Sequence, residues 1–398
     1  SRAIDPHHRR VEAKMEALTT LLTQSGFAGL SWQNLVMYAV GGVLIYLAIR
    51  KGYEPLLLIP IGFGAILANL PNAMMSASVD GAAAAHGAHP LLQLVYNAGI
   101  KTEFLPPVIF LGVGALTDFR PLLGRPLTFL LGAAAQFGIA VAAIGAFFVF
   151  GFTSQEAAAI GIIGGADGPT SIFLASIMAP HLLGAVAVAA YSYMALVPVI
   201  QPPIMRMLTS RRERAIDMPQ TKEVSKTAVI LFPIVTAVVA SLAIPACAPL
   251  IGMLMFGNLL RESTVTDRLS KTAGGALINT VTIFLGVVVG ATMEGHSFLR
   301  PQTIFILVLG AIAFSFSTFG GVVFAKVLNV FLPADRKMNP CIGAAGVSAV
   351  PMAARVVQDF VSKETDGKVN PLMAAMGPNV AGVIGSAVAA GVFLALLG

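Results

Sequence analysis

Residues 160–169 read IGIIGGADGP, and residues 342–351 read IGAAGVSAVP. The two stretches share an isoleucine, two glycines and a proline at one constant spacing, and they stand in corresponding halves of the chain. Each is embedded in a long apolar run that it must interrupt. Proline removes a backbone donor, and glycine weakens a helix interior. The first stretch also carries a lone carboxylate, Asp167, just ahead of Pro169. Broken helices at membrane depth free backbone groups and are tolerated only where they are buried in protein or line a cavity. Matched segments broken by Gly and Pro are the best sequence pointer to a binding site in transporters built from repeats.

Working outward, the 398-residue chain is 56% hydrophobic and 11% charged, with a mean hydropathy of +0.83. A soluble domain carries roughly 25% charged residues. Apolar segments fall at 33–50, 55–71, 104–117, 126–152, 156–178 and 182–205. They resume at 226–245, 246–260, 274–293, 302–330, 340–358 and 371–397. Many reach the ~20 residues needed to cross hydrocarbon. The expected class is an all-α polytopic membrane protein, which excludes an ordinary soluble enzyme. The net charge of +6 reflects Lys and Arg gathered in loops, as in Arg206, Arg211, Arg212, Arg214, Lys222 and Lys226. By the positive-inside rule that loop is cytoplasmic, and nucleic acid is not the expected partner. The chain therefore divides into a polar leader (1–14, ahead of Met15), a first membrane repeat (15–205), a basic linker (206–226) and a second membrane repeat (227–398). Cys247 and Cys341 form no metal spacing and suggest no disulfide. His86 and His89 read as loop residues. No P-loop, HExxH or CxxC pattern is present, which argues against ATP-driven pumping.

The halves share further words in the same order. PIGFGAILANL (60–70) echoes PLIGMLMFGNLL (249–260), IFLG recurs at 109–112 and 283–286, RP at 125–126 and 300–301, and LGA at 131–133 and 309–311. The reading is a duplicated, transporter-like fold with broken or re-entrant helices; the residues alone leave parallel and inverted repeats open.

The broken segments bring oxygen ligands. The first offers Asp167 and Thr170. The second, MNPCIGAAGVSAVPMAAR (338–355), offers Asn339, Ser348 and Arg355. A third, MGPNVAGVIGS (376–386), offers Asn379 and Ser386, and YSYMALVPVIQPP (191–203) offers Tyr191, Tyr193 and Gln201. A charge within a membrane segment costs ~2.5–3.5 kcal/mol on insertion scales, so it calls for a functional partner. One carboxylate among neutral oxygens suits a hard monovalent cation, for which sodium is the chosen reading. Structural alternatives stand beside each assignment. Asp167 could pair with Arg355 or cap a half-helix; Thr170 and Ser348 could satisfy freed backbone. Asn339 and Asn379 each adjoin a proline and could be helix caps. Tyr191 and Tyr193 could belong to an interfacial belt. Arg355 is either a snorkelling end-of-helix cation or an anion-binding fork.

At GGADGPT, SYM, NPCIGAAGVSAVP and MGPNVAGVIGS, the sequence resembles the β subunits of sodium-pumping biotin-dependent decarboxylases, such as oxaloacetate decarboxylase, with likeness from about Met15 to the end. The resemblance implies an elevator-type fold with inverted repeats in the cell inner membrane. It implies decarboxylation of carboxybiotin, formed from oxaloacetate, coupled to sodium export with consumption of a proton. It also implies a biotin-carrying carboxyltransferase α subunit, a small membrane γ subunit and a homotrimer of β. The chain has no Met-Lys-Met biotin attachment sequence, so the cofactor must arrive on a partner. The family's functional positions fall on Asp167, Tyr193, Asn339, Gly343, Ser348 and Arg355. The expected roles are Asp167, Asn339, Ser348 and Asn379 on sodium, with Gly343 and Tyr193 in the same metal site, Tyr193 as proton donor and Arg355 as carboxybiotin anchor. The alternative is a secondary transporter, a sodium/carboxylate symporter or sodium/proton antiporter, which needs no biotinylated partner. A purely structural anchor has no use for a carboxylate and two asparagines in broken segments.

Overall fold

The apolar runs fold as helices bounded by prolines and side-chain caps. In the computed structural model, residues 25–52, 54–71, 91–218 and 223–398 are described, together with Met15, Thr19 and Thr23. The leader 1–14, His86, His89 and Lys222 lie outside the described residues. We number the principal helices α1 (Trp32–Lys51), α2 (Pro55–Ala68), α3 (Leu105–Leu116), α4 (Thr128–Ala135) and α5 (Phe137–Phe148). Next come α6 (Ser154–Gly161), α7 (Gly168–Met178), α8 (Leu183–Leu208), α9 (Lys226–Ala243) and α10 (Ala248–Glu262). The last are α11 (Ile278–Ala291), α12 (Pro301–Phe331), α13 (Met352–Glu364) and α14 (Leu372–Leu397). Among the described residues there is no β-strand. Six helices are long and apolar enough to cross a membrane, or seven if the bent α8 is counted with the turn before it. This is the all-helical membrane protein expected.

Two layers of packing position the site. In the first, α2 lies on α11 and α3 on α10, with α1 outside α2 and α9 outside α10. Glycines permit these approaches. A Cβ on Gly64 would stand 2.1 Å from the Val287 carbonyl oxygen, and one on Gly290 2.0 Å from that of Ile61. A Cβ on Gly257 would stand 1.9 Å from the Leu111 oxygen, and one on Gly114 1.9 Å from that of Leu254. Without a hydrophobic drive between helices in lipid, such backbone contact is the main source of association. Asn69 ties the ends of α2 and α11 by donating to the Met293 carbonyl (2.8 Å) and accepting from the Gly295 N–H (2.8 Å). Asn258 does the same for α3 and α10 through the Thr117 carbonyl (2.9 Å).

In the second layer, α12 packs on α4, α5 and α8, and α14 packs on α4 and α13. Two broken helical hairpins lie between them. The first descends through α6 and a 3-10 turn (Ile162–Gly165) and returns by α7. Its open end is held by Glu156–His181 (2.8 Å) and by Gln155 on the Leu397 carbonyl (3.2 Å). The second enters through a 3-10 stretch (Pro340–Gly346) and returns by α13. Its open end meets the linker: Asn339 donates to the carbonyls of Arg214 (2.9 Å) and Ile216 (3.2 Å), and Arg214 pairs with Glu364 (2.6 Å). The hairpins thus enter from opposite ends of the bundle.

The structure corrects one expectation about breaks. The segment 376–386 is not interrupted: α14 runs continuously through Pro378. The segment 191–203 is interrupted, as a 60° bend of α8 between Met194 and Leu196, ahead of Pro198, whose missing N–H frees a carbonyl one turn earlier. The basic linker differs too. Arg214 is buried, donates to the Thr209 side chain and to the Arg206 and Thr209 carbonyls, and stacks over Phe360, while Arg206 also binds Glu364 (2.7 Å). These two cations are structural, leaving Arg211 and Arg212 exposed.

Candidate functional site

The tips of the two hairpins meet at Asp167. The first helix begins at a reciprocal Thr153–Glu156 cap and ends where Ala166 adopts a left-handed conformation (φ 53°, ψ 43°). That turn aims Asp167 back as the N-cap of α7, where its Oδ1 accepts from the Thr170 N–H (3.2 Å) and Ser386 Oγ donates to its Oδ2 (2.7 Å). A helix N-terminus suits a carboxylate. The second tip is extended at Val347, and the Val350–Pro351 peptide is cis. The Ser348 N–H donates to the Gly165 carbonyl (2.9 Å), so one broken segment pairs with the other. Neighbouring side chains satisfy other freed carbonyls: Ser317 on Gly164 (2.6 Å), Asn379 on Val347 (2.7 Å) and Gln201 on Ala344 (2.6 Å). The prolines and glycines therefore cost little backbone hydrogen bonding here.

Oxygens remain over. Asn379 Oδ1 and the Tyr191 hydroxyl are buried without a hydrogen-bond partner, and the buried Thr170 and Ser348 hydroxyls have only the Asp167 carboxylate beside them. Native interiors leave few polar groups so placed, and each needs an explanation. Asp167 itself is 6% exposed and makes no ion pair with Arg355, so neutral donors alone surround a buried carboxylate. Asp167, Ser348 and Tyr191 line a cavity of about 240 Å³ between the two layers, whose other wall includes Glu54, Asn279 and Thr282 among apolar residues. An all-oxygen cluster with one carboxylate and room for water can hold a hard monovalent cation. Among the described residues no group of three His, Cys, Asp or Glu side chains offers a different metal site.

The expected residues are not all gathered here. Asn379 and Ser348 stand with Asp167 at the hairpin tips. Asn339 does not: it caps the 3-10 stretch, its Oδ1 accepting from the Cys341 N–H (3.1 Å), while its amide is used by the linker carbonyls. Both ends of the side chain therefore have protein partners, unlike those of Asn379 and Ser348. Gly343 lies in the 3-10 stretch against α12. It meets Gly321 backbone to backbone, a Cβ on it falling 2.0 Å from the Gly321 oxygen.

Tyr193 donates its hydroxyl to the Leu307 carbonyl and lies against Gly310, away from the cavity. Tyr191 faces Asp167: a Cβ on Gly168 would stand 2.0 Å from Tyr191 Cε1. Arg355 is exposed in the first turn of α13, beside the second break. Sequence reasoning missed Glu54, Asn279 and Thr282, whose only signal is their position in the layer facing Asp167. Cys247 and Cys341 are buried and free, as expected.

A family model described as the Na+-transporting oxaloacetate decarboxylase beta subunit matches residues 33–397. The glutaconyl-CoA decarboxylase subunit beta of Acidaminococcus fermentans is 55% identical over 388 residues, covering 98% of this chain and 100% of the relative. The methylmalonyl-CoA decarboxylase subunit beta of Veillonella parvula is 54% identical, covering 97% of this chain and 99% of the relative. The oxaloacetate decarboxylase beta chain of Klebsiella pneumoniae is 50% identical, covering 96% of this chain and 99% of the relative.

Proposed function

This chain belongs to the family of Na+-transporting decarboxylase β subunits, and from that premise we propose that it couples decarboxylation of carboxybiotin to sodium export with consumption of a proton. The observation that carries the reading is Asp167, a buried carboxylate held by neutral donors at the meeting of two broken hairpins, with unpartnered oxygens beside it. We assign the sodium ion, as cargo, to Asp167, Thr170, Ser348 and Asn379.

Carboxybiotin brought by a partner would supply the carboxyl group lost as carbon dioxide, with one proton delivered from this chain's site taking its place. Arg355 fits its anionic end, since the guanidinium is exposed, forms no ion pair among the described residues and presents a planar fork to a carboxylate. For the proton donor we replace Tyr193 by Tyr191, whose hydroxyl is free and faces the cavity. A sodium ion entering the cluster compensates the negative charge left when that phenol gives up its proton.

The relatives are named for three acyl substrates yet match at 50–55% identity along the whole chain. This supports assigning the acyl substrate to the partner; oxaloacetate, expected from the motifs, is tested beside the two CoA esters. The assembly with biotin-carrying α and small γ subunits, the β homotrimer and the inner-membrane location rest on the family likeness. We also read residues 15–205 and 227–398 as inverted repeats flanking the linker 206–226. In support, α2 packs on α11 as α10 packs on α3, exchanging the helices that carry matched words, and the hairpins enter from opposite ends. An elevator motion would carry the α4–α8 and α12–α14 layer past the other.

The test is substrate-driven sodium uptake into vesicles holding the reconstituted assembly, with each of the three acyl substrates. Asp167→Asn should abolish uptake while leaving assembly intact. Uptake that ignores every decarboxylation substrate and follows only an imposed gradient would establish a secondary transporter instead.

A further inference from the structure

Glu54 faces Asp167 across the cavity and has no part in the mechanism so far. It sits at the N-terminus of α2 in a left-handed conformation (φ 35°, ψ 60°), yet its side chain makes no cap. Among the described residues it forms no ion pair. Its carboxylate lies within electrostatic reach of the Tyr191 hydroxyl, as does that of Asp167. Tyr191 is fully buried and its hydroxyl unpartnered, and Ser348, 7% exposed, lines the same cavity. Asn279 and Thr282 add an amide and a hydroxyl to the Glu54 wall.

Depth places Glu54 on one side of Asp167. The end of α2 is tied through Asn69 to Met293 and Gly295, at the face opposite the linker. The 14 residues of α2 span about 21 Å, which puts Glu54 well toward the linker face. The cavity rim at Leu116 and Gly274 lies on that same side, next to the Arg120–Glu262 pair. The second half offers no equivalent. Matched by packing, Gly64 with Gly257 and Ile61 with Leu254, Glu54 falls on Cys247, which is fully buried against Gly391; matched by Pro60 with Pro249 and Asn69 with Asn258, it falls on Ala243, and neither is acidic. The carboxylate is therefore present on the linker side alone.

We infer that Glu54, with Asn279 and Thr282, forms an access station for a monovalent cation, which receives sodium from the linker side before it reaches Asp167. This rests on the sodium reading of the Asp167 cluster. A fixed negative charge in a low-dielectric vestibule raises the local cation concentration, and two carboxylates on facing walls let the ion pass without losing an anionic partner.

The experiment measures 22Na+ binding to the purified, assembled complex over a range of sodium concentrations. Glu54→Gln should raise the half-saturating concentration about tenfold, the effect of ~1.4 kcal/mol, while Glu54→Asp stays near the unaltered value. A Glu54→Gln isotherm that superimposes on the unaltered one overturns the inference, provided Asp167→Asn still raises the half-saturating concentration. An Asp167→Asn isotherm that superimposes on the unaltered one overturns the sodium reading of the cluster itself. Should Glu54→Gln fail to assemble, Thr282→Val carries the test: a shift of about threefold supports the station, and none refutes it.

Discussion

Thr170→Val separates a cation ligand from a hydroxyl that merely serves the fold. Thr170 is fully buried, its backbone N–H is bonded to Asp167, and its Oγ1 makes no well-formed hydrogen bond, with only that same carboxylate beside it. A buried hydroxyl left unpaired costs ~1–3 kcal/mol. Valine keeps the branched shape and removes the oxygen, so the sodium-free protein should gain part of that amount. With sodium bound the oxygen is satisfied, and the variant should bind more weakly by a similar amount, about 5- to 150-fold. The assay is thermal unfolding of the assembled complex in sodium chloride against choline chloride at equal ionic strength. At a sodium concentration of about 100 times the unaltered dissociation constant, sodium should add ~2.7 kcal/mol to the unaltered protein. A variant binding tenfold more weakly should gain only ~1.4 kcal/mol. The two effects have opposite signs, which no packing defect reproduces. A variant that is less stable without sodium, and keeps the full sodium increment, would refute the ligand role.

Tyr191→Phe should abolish proton-coupled pumping, whereas Tyr193→Phe should lose only its hydrogen bond to Leu307; substrate-driven uptake by the two variants decides between them. Gly257→Ala and Gly64→Ala should each destabilise by at least ~1–3 kcal/mol, because the new methyl meets a carbonyl oxygen at 1.9 and 2.1 Å; thermal unfolding in detergent reads the loss, and a neutral effect at either would contradict the close approach. Arg214→Ala should cost ~3–5 kcal/mol by breaking a buried ion pair and releasing the linker, read by unfolding and by proteolysis of the loop. At the linker face, the hydrogen bond from Arg206 and then that from Arg214 hold the Glu364 carboxylate below its ordinary range, outweighing an opposing effect of burial. A depressed folded-state value contributes stability above the unfolded carboxylate's range, which is lost as pH falls through the lowered value. Unfolding followed from neutral to acidic pH should show that loss, and Glu364→Gln should remove it.

The class, the apolar segments and the position of the first break are legible in the residues alone. Composition and run length placed the helices to within a few residues, because a chain in lipid must satisfy its backbone internally. Gly, Pro and one carboxylate marked residues 160–169, because few other residues permit such a turn at that depth. Which side chains meet there was decided by tertiary structure alone. Tyr191 and Tyr193 lie two residues apart on one helix, about 200° around its axis. Packing of Tyr193 on Gly310 therefore turns Tyr191 toward Asp167, and no local signal distinguishes them. Asn339 and Asn379 both stand beside proline, but one ends at the linker carbonyls and the other at the hairpin tips. The unbroken α14 was not legible either, since a lone proline reads alike whether it ends a helix or is absorbed by one. Glu54 is more than a hundred residues from Asp167 in sequence, and only the packing of α2 beside the hairpins makes them neighbours across one cavity. Local chemistry fixed where the chain must break; the rotation and stacking of helices, set by backbone contact at glycine, fixed what surrounds the break.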